Sequence, residues 1–428
     1  MYGQGHSECD VLTHTDPGTP GGDLLRRYWH PAALSEEAPP GGAPVPVRIF
    51  GEDLVLFRDE RGQPGLLALH CSHRSADLSY GRLEDGGIRC IYHGWLYDVQ
   101  GRCLEQPGEP AGSTFRERIK HPAYPCIERS GVIWTYMGPG EPPLLPNYEF
   151  LTVPDEQVFA IKLFHECNWL QGNEGNIDLI HLSFLHHSAY RDLAGNGAGG
   201  SRVTGGGAAP HQETVEAELT DYGLSVCKIR QMGAEKHVYF CTYMIPCAFA
   251  FSGDTANEGY SLNWHVPIDD THHWKYTFVS SRTKALEKAR IRRGRLEMTP
   301  DYKALRSKAN RYQQDRSTMA ESYTGIGLVF QAQDMCAVEG AGAIQDRSQE
   351  HLTANDAPVV VSRKLLLKGL NDIAEGRDPP NVKRDPGSNR FPRMFAYTGV
   401  VPSDTDWRAH VRLVDAEIDA AMAAKIGR

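Results

Sequence analysis

The chain has 428 residues and a formal net charge of −9; 40% of its residues are hydrophobic and 23% are charged. These values are ordinary for a globular protein, and the length is sufficient for two domains. The acidic balance, without a run of Lys and Arg, argues against a nucleic-acid-binding protein. Residues 1–10 lack the features of a signal peptide, and no stretch of about 18 apolar residues indicates a membrane span, so a cytoplasmic location is expected.

The first third of the chain predicts a short helix followed by a small β domain. The helix is expected over residues 24–29. Strand-like runs separated by turn residues follow at residues 47–50, 54–57, 66–69, 95–97 and 132–136. Residues 138–143 read Gly-Pro-Gly-Glu-Pro-Pro, which breaks regular structure. We therefore predict a first domain at residues 1–145 and a second at residues 146–428.

The second domain is predicted to mix helices and strands. A helix is expected over residues 168–187, next to a group of histidines. Strands are expected at residues 214–219, 224–229, 237–243, 260–266 and 274–279, and further helices at residues 284–296, 302–340, 357–374 and 404–425. This order is typical of an α+β domain that is larger than the domain before it.

A glycine-rich segment covers residues 191–210 and contains Gly-Asn-Gly-Ala-Gly-Gly at residues 195–200. These letters formally match G-x-G-x-x-G, the dinucleotide-binding motif. That motif works between a strand and a helix of a βαβ unit, and no strand is predicted before it here. We therefore expect a mobile loop at this segment instead of a nicotinamide site.

Four residues form the most specific motif of the chain. Cys71 and His73 lie in one predicted loop, and Cys90 and His93 lie in another, with sixteen residues between the two pairs. The order C-x-H…C-x-x-H is typical of a Rieske 2Fe–2S site, where two imidazoles replace two thiolates and raise the reduction potential. A structural zinc site is the alternative, but such sites usually pair like with like. The interleaved order favours the iron–sulfur cluster, so the chain is expected to carry electrons.

A second candidate metal site lies in the predicted helix at residues 168–187. His181 and His186 are five residues apart, which on a regular helix separates them by about 140°. Shared coordination therefore requires a local distortion, such as a π-bulge. Asp178 is three residues before His181, on the same helix face, so that its carboxylate can hold the imidazole by a hydrogen bond. The alternative is that these histidines only cap or pack the helix.

Two histidines and one distant carboxylate would form the facial triad of non-haem Fe(II) oxygenases. Asp334 lies among mostly apolar neighbours, where a charge is costly unless it is paired or bound to a metal. Glu339 competes with Asp334 on spacing, and the residues alone do not separate the two.

The motifs C-x-H-x16-C-x-x-H and D-x-x-H-x4-H together resemble the oxygenase (alpha) components of the Rieske non-haem iron oxygenases. Several stretches are similar to the branch of this family that contains phthalate 4,5-dioxygenase, namely residues 25–31, 51–58, 89–95, 168–171 and 344–352. The resemblance implies an N-terminal all-β Rieske domain, followed by a larger α+β helix-grip (START-like) catalytic domain. The glycine-rich segment matches no motif of the family.

The resemblance also implies a role for each matched residue. One cluster iron would be held by Cys71 and Cys90, and the other by His73 and His93. The ligands of the mononuclear iron would be His181, His186 and Asp334. In the family, subunits form a head-to-tail ring, usually a trimer or stacked trimers. Asp178 would then lie between His181 and the partner subunit's His93, as the catalytic residue that connects the two metals.

The function implied is that of a terminal oxygenase, a mono- or dioxygenase supplied with electrons from NAD(P)H by a separate reductase or ferredoxin. It would activate O2 at the mononuclear Fe(II) to oxidise an aromatic carboxylate, by ring hydroxylation of the phthalate type. One alternative is O-demethylation of a methoxylated aromatic acid with release of formaldehyde. A non-catalytic Rieske electron carrier is the alternative from a different class.

Recognition of an anionic substrate requires Arg or Lys in an otherwise apolar pocket. The candidates for this contact are Arg191, Lys228 and Arg230, with Tyr243 and Trp264 as candidate aromatic contacts. The alternative is that the three cations are solvated surface charges and that the two aromatic side chains belong to the core.

Overall fold

The computed structural model describes residues 8–187, 213–253, 255–294, 297–320 and 322–426. None of the helices in these ranges combines the length and the apolar character that crossing a membrane requires. The glycine-rich segment and Arg191 lie outside the described residues, so both expectations about them stay predictions.

The N-terminal region is built from three small antiparallel sheets. It contains helix α1 (Pro20–Leu25) and strands β1 (Trp29–Leu34), β2 (Val45–Ile49), β3 (Glu52–Arg58), β4 (Pro64–Ala68), β5 (Arg82–Glu84), β6 (Gly87–Arg89), β7 (Leu96–Asp98), β8 (Cys103–Glu105), β9 (Ala123–Tyr124), β10 (Cys126–Arg129) and β11 (Val132–Tyr136). The strand orders are β1-β11-β10, β2-β3-β4-β9 and β5-β6-β7-β8. This confirms the prediction of an all-β domain at this end of the chain.

The C-terminal region is an antiparallel sheet with helices against it. Its elements are β12 (Val158–His165), α2 (Trp169–Ile177), α3 (His181–Phe184), β13 (Glu213–Thr220), β14 (Gly223–Met232), β15 (Glu235–Met244), β16 (Ala248–Phe251), β17 (Gly259–Asp269), β18 (His272–Ser281), α4 (Lys288–Gly294), α5 (Phe330–Gly340), α6 (Ala357–Ala374), β19 (Tyr397–Pro402) and α7 (Trp407–Ile426). The strand order is β12-β18-β17-β16-β15-β14-β13, and β19 pairs with the first half of β15. The predicted α+β domain is confirmed.

Helices cover both faces of this sheet. On one face, α2 contacts β16, β17 and β18, while α6 contacts β13 and β14. On the other face, Trp407 and Val411 of α7 pack against alternate residues of β14, such as Cys227 and Ile229. Because side chains alternate along a strand, the residues between these, including Lys228, point toward the α2–α6 side.

The two regions share one hydrophobic core. The ring of Trp134, on β11, contacts that of Trp264, on β17, with centroids 5.0 Å apart. The backbone N–H of Phe50 also donates to the carbonyl of Pro267 at 3.0 Å. The two regions therefore pack directly against each other.

Three predicted helices differ from the observed elements. The helix expected at residues 24–29 ends at Leu25, because residues 26–28 turn the chain into β1, which pairs with β11. Among the described residues of the helix expected at 302–340, Phe330–Gly340 is the one α-helix, and two short 3-10 helices, Lys308–Gln313 and Arg316–Thr318, precede it. Gly325 and Gly327, with φ of 67° and 81°, lie just before it in a conformation that a helix does not contain. The helix expected at residues 168–187 is divided into α2 and α3.

Candidate metal centres

The loops at residues 71–76 and 90–95, here called the cluster loops, share one backbone pattern. In each loop the cysteine N–H donates to the carbonyl five residues later, and the amide four residues later donates to the cysteine carbonyl, at 2.8 to 3.0 Å. The residue at the fourth position after the cysteine has positive φ in both loops, 58° at Ser75 and 78° at Gly94. Because the two backbones match, Cys71 and Cys90 are presented in equivalent ways.

The two cysteines of these loops are buried and the two histidines lie near the surface. Cys71 and Cys90 are each 2% exposed. The Tyr97 hydroxyl lies 3.2 Å from the Cys71 sulfur. The rings of His73 and His93 are 4.4 Å apart between centroids. The structure thus brings together all four residues that the sequence motif predicted.

Further contacts suit a bound cluster. Burial raises the pKa of the Cys90 thiol, whereas the backbone N–H groups of Tyr92 and His93 lower it by pointing at the sulfur. The ring of His73 stacks on Trp95 with centroids 4.5 Å apart, which fixes its direction. Two buried sulfurs and two oriented imidazoles near the surface are the donor set of a Rieske cluster.

The second group begins where α2 ends. Asp178 follows the last residue of α2, and its carboxylate accepts the N–H of Ile180 at 2.8 Å. The chain then turns into α3, which starts at His181. This interruption, and not a π-bulge, allows His181 and His186 to approach one another, with ring centroids 5.1 Å apart.

The predicted contact between Asp178 and His181 uses a different atom. The Nδ1–H of His181 donates to the backbone carbonyl of Asp178 at 2.6 Å. The carboxylate lies 3.8 Å from the same nitrogen, beyond hydrogen-bond distance. The expectation that the carboxylate holds the imidazole is therefore wrong for this structure, because that carboxylate caps the turn into α3 instead.

His186 is oriented from the opposite side. Its Nδ1 lies 2.7 Å from the side-chain oxygen of Gln333. The Gln333 amide nitrogen donates to the Gly327 carbonyl at 2.6 Å, which fixes the direction of the amide. His186 therefore carries its proton on Nδ1, and its Nε2 lies 2.8 Å from the Asp334 carboxylate. The Nε2 of His181 is 3.9 Å from the same carboxylate oxygen.

Together, His181, His186 and Asp334 offer three ligand atoms within 4.8 Å of one another, the one such group in the described part of the chain. Burial would raise the pKa of Asp334, but the positive charge of a protonated His186 beside it lowers that pKa to about 2. Glu339 is fully buried, yet it accepts hydrogen bonds from the Tyr312 hydroxyl and from a backbone amide and does not join the group. Of the two carboxylates, Asp334 has the geometry of a ligand.

The predicted substrate residues fall into two sets. Lys228 and Arg230 are 1% and 5% exposed, so the alternative that they are solvated surface charges is wrong. Tyr243 and Trp264 are also buried, and their described contacts are with core groups. The Tyr243 hydroxyl donates to the Pro246 carbonyl, and Trp264 packs on Trp134.

Sequence reasoning missed Gln333, Ser183 and Glu213. Gln333 directly precedes Asp334 in the sequence. A polar residue next to a candidate ligand could have been predicted to orient one of the other ligands. Ser183 donates to the Glu213 carboxylate at 2.8 Å, and Lys228 donates to the Ser183 hydroxyl at 3.0 Å. No local pattern indicates this contact, because it joins α3 to the far edge of the sheet.

Comparison with known proteins gives consistent similarities. Residues 28–125 match the Rieske 2Fe-2S domain, and residues 135–426 match the family described as LigXa C-terminal domain like. The oxygenase subunit of phthalate 4,5-dioxygenase from Pseudomonas putida is 33% identical over 440 residues, which cover 97% of each chain. The oxygenase subunit of 5,5'-dehydrodivanillate O-demethylase from Sphingobium sp. is 32% identical over 89% of this chain and 84% of that protein.

Among solved structures, the terminal oxygenase of carbazole 1,9a-dioxygenase from Nocardioides aromaticivorans is similar in fold. The alignment has a TM-score of 0.57 and 20% identity, and it covers 84% of this chain and 95% of that chain. The strand and helix arrangement described above is thus that of known oxygenase structures.

Proposed function

Because the chain belongs to the Rieske oxygenases that carry a LigXa-like C-terminal domain, we propose that it hydroxylates the ring of an aromatic carboxylate of the phthalate type. As a terminal oxygenase of this family it uses a Rieske 2Fe–2S cluster and a mononuclear iron, which supply electron transfer and oxygen chemistry when bound. The group His181, His186 and Asp334 is the observation that carries the proposal.

The protein's own task at this group is to hold three ligands in fixed directions. Donation from Nδ1 to the Asp178 carbonyl and to Gln333 leaves Nε2 of both imidazoles as the lone-pair donor. The Asp334 carboxylate supplies the negative charge. We assign these residues to the mononuclear iron, and Cys71, His73, Cys90 and His93 to the cluster.

Lys228 is proposed to recognise the carboxylate of the substrate. A buried cation is costly unless it is paired, and Glu213 lies 3.8 Å from Lys228 and 4.0 Å from Arg230. The Lys228 ammonium also donates to Ser183, two residues after His181. A buried cation beside the ligand-bearing helix supports an anionic substrate, as does the similarity to a phthalate dioxygenase.

Replacement of Lys228 tests this assignment. Lys228→Met is expected to raise the KM for an aromatic acid about tenfold, which is the loss of one charge-assisted hydrogen bond. Lys162→Met is the matched control, because Lys162 is also a buried lysine of the sheet, paired with Glu37 at 2.6 Å. Steady-state kinetics with the acid and with its neutral amide would reveal the effect; equal changes for both compounds would reject the role.

The oligomer is proposed to be a head-to-tail ring, a trimer or stacked trimers, which receives electrons from a reductase or ferredoxin. Apolar side chains near His93 are exposed, with Ile91 at 61% and Tyr92 at 56%, and this supports a protein contact there. The Asp178 carboxylate is one third exposed, which leaves it accessible to the partner subunit's His93. One similar structure is described as an oxygenase and ferredoxin complex, which further supports an electron-transfer partner.

O-demethylation of a methoxylated aromatic acid is the second candidate, because the demethylase subunit is nearly as similar as the dioxygenase subunit. A panel of phthalates and methoxybenzoates, with a surrogate reductase, distinguishes the two by oxygen uptake and formaldehyde release. Uptake with a phthalate and without formaldehyde supports ring hydroxylation. Formaldehyde in proportion to oxygen supports demethylation, and a protein with two irons per chain and no uptake would leave only the electron carrier.

A further inference from the structure

Two buried histidines form a hydrogen-bonded pair beneath α2. His273, on β18, has its Nδ1 2.8 Å from the carbonyl of Cys167. Because a carbonyl only accepts, this nitrogen carries the proton and the Nε2 of His273 is an acceptor. The Nδ1 of His265 lies 3.0 Å from that Nε2, so it is the donor. The Nε2 of His265 is therefore left as an acceptor.

The last turn of α2 supplies the hydrogen-bond donor for the Nε2 of His265. The side-chain nitrogen of Asn176 lies 2.5 Å from the Nε2 of His265, and it also donates to the Gly172 carbonyl at 2.8 Å. The second contact fixes the direction of the amide. The Asn176 oxygen accepts from Asn263 at 2.6 Å, and the Asn263 oxygen accepts from the Thr277 hydroxyl at 2.8 Å. Every donor and acceptor in this line is thus assigned without conflict.

Helix α2 approaches the histidine pair so closely that one glycine is required. A Cβ on Gly172 would lie 2.5 Å from the Nε2 of His273 and 2.6 Å from the Nδ1 of His265. Both rings are almost completely buried, and burial lowers the pKa of each. The pair therefore stays neutral, with the tautomers given above.

We propose that Asn176 and His265 are positioning residues for the mononuclear iron, an inference that rests on the proposed role of His181 as a ligand. Asn176 lies two residues before Asp178, whose carbonyl accepts the Nδ1–H of His181. The bond from Asn176 to His265 fixes the last turn of α2 on the sheet, and so fixes the carbonyl that sets the tautomer and direction of His181. The hydrogen bond from His265 to His273 has a supporting role, because it holds the His265 ring in place for the bond from Asn176.

Two variants of one residue separate these bonds. His265→Gln places an amide oxygen near the position of Nε2 and keeps an acceptor for Asn176. His265→Asn places its amide near Nδ1 and keeps the bond to His273, but it leaves one of the two amide hydrogens of Asn176 without an acceptor, while the other still donates to the Gly172 carbonyl. We expect His265→Asn to release its mononuclear iron to a ferrous chelator about tenfold faster than the wild type, and His265→Gln to stay within about threefold.

The control is His237→Asn, which removes a buried histidine of the same sheet that is bonded to Thr398 at 3.0 Å. It is expected to leave iron release unchanged. The visible spectrum of the cluster reports folding in each variant. If His265→Asn does not fold, Asn176→Ala removes the same bond together with those to Gly172 and Asn263, and release at least tenfold faster is expected.

Equal release rates for both His265 variants, whether fast or slow, would overturn the proposal. A wild-type protein that binds only two irons per chain would instead reject His181 as a ligand. The two failures are therefore distinguishable.

Discussion

The two groups of proposed metal ligands differ in how the chain assembles them. The cluster loops lie within a short stretch of sequence, and each is formed by backbone hydrogen bonds between residues four or five apart. The iron group joins α3 to α5, and the bond that orients His186 comes from Gln333, 147 residues away. The first group is a local structure, whereas the second depends on how helices pack on a sheet. Substitutions should therefore affect one group without the other.

Removal of the distant carboxylate should have the largest effect. Asp334→Ala is expected to abolish turnover and to lose the mononuclear iron, because two imidazoles alone are a weak site, while the cluster spectrum is unchanged. Glu339→Gln is the matched control, since it keeps the shape of the carboxylate that is not grouped with His181 and His186. For both variants, iron analysis measures the bound mononuclear iron and oxygen uptake measures turnover. Iron loss in the Glu339 variant alone would reverse the assignment.

Asp178→Asn should separate metal binding from turnover. The backbone carbonyl that holds His181 is unchanged, and an amide oxygen still accepts the Ile180 N–H, so both metals should remain bound. Turnover should fall about ten- to a hundredfold if the carboxylate connects the two metals between subunits. Asp155→Asn, at an exposed position, is the control. Wild-type turnover in the Asp178 variant would exclude the proposed electron route.

Gln333→Leu should weaken the iron group only. Without an acceptor at Nδ1, His186 is no longer fixed in its tautomer, and the iron affinity is expected to fall about tenfold. Gln314→Leu is the control, because Gln314 donates to the Thr324 carbonyl and does not contact the histidines. Anaerobic titration with Fe(II) measures the affinity. An unchanged affinity would show that Asp334 alone orients His186.

Gly94→Ala should have the smallest effect of these substitutions, and that effect should be confined to the cluster loops. At φ 78° an alanine is strained by about 1–2 kcal/mol, and its Cβ would also lie 3.1 Å from Pro107. We expect a lower unfolding midpoint and faster loss of the cluster absorbance, with the mononuclear iron unaffected. Gly108→Ala, where a Cβ meets open space, is the control. Equal midpoints for the two variants would contradict the account of the loop.

The accuracy of the predicted elements differed along the chain. The strand at residues 132–136 and the helix at residues 357–374 were predicted with the bounds that the structure has. The long helix at residues 302–340 was not, because helical spacing of apolar residues carries no information about positive φ at Gly325 and Gly327. Tertiary pairing also converted part of the predicted N-terminal helix into β1.

The sequence by itself predicted the four residues that we assign to the cluster, and it also predicted His181 and His186 as candidate ligands. Their spacing is set by adjacent residues, and the same backbone pattern in both loops follows from short-range hydrogen bonds. Only the tertiary structure decided that Asp334 and not Glu339 reaches the histidines. It also decided that a carbonyl holds His181 and that Lys228 is buried. These facts depend on which faces of distant elements meet, and that is fixed by packing across the whole sheet, which no local pattern encodes.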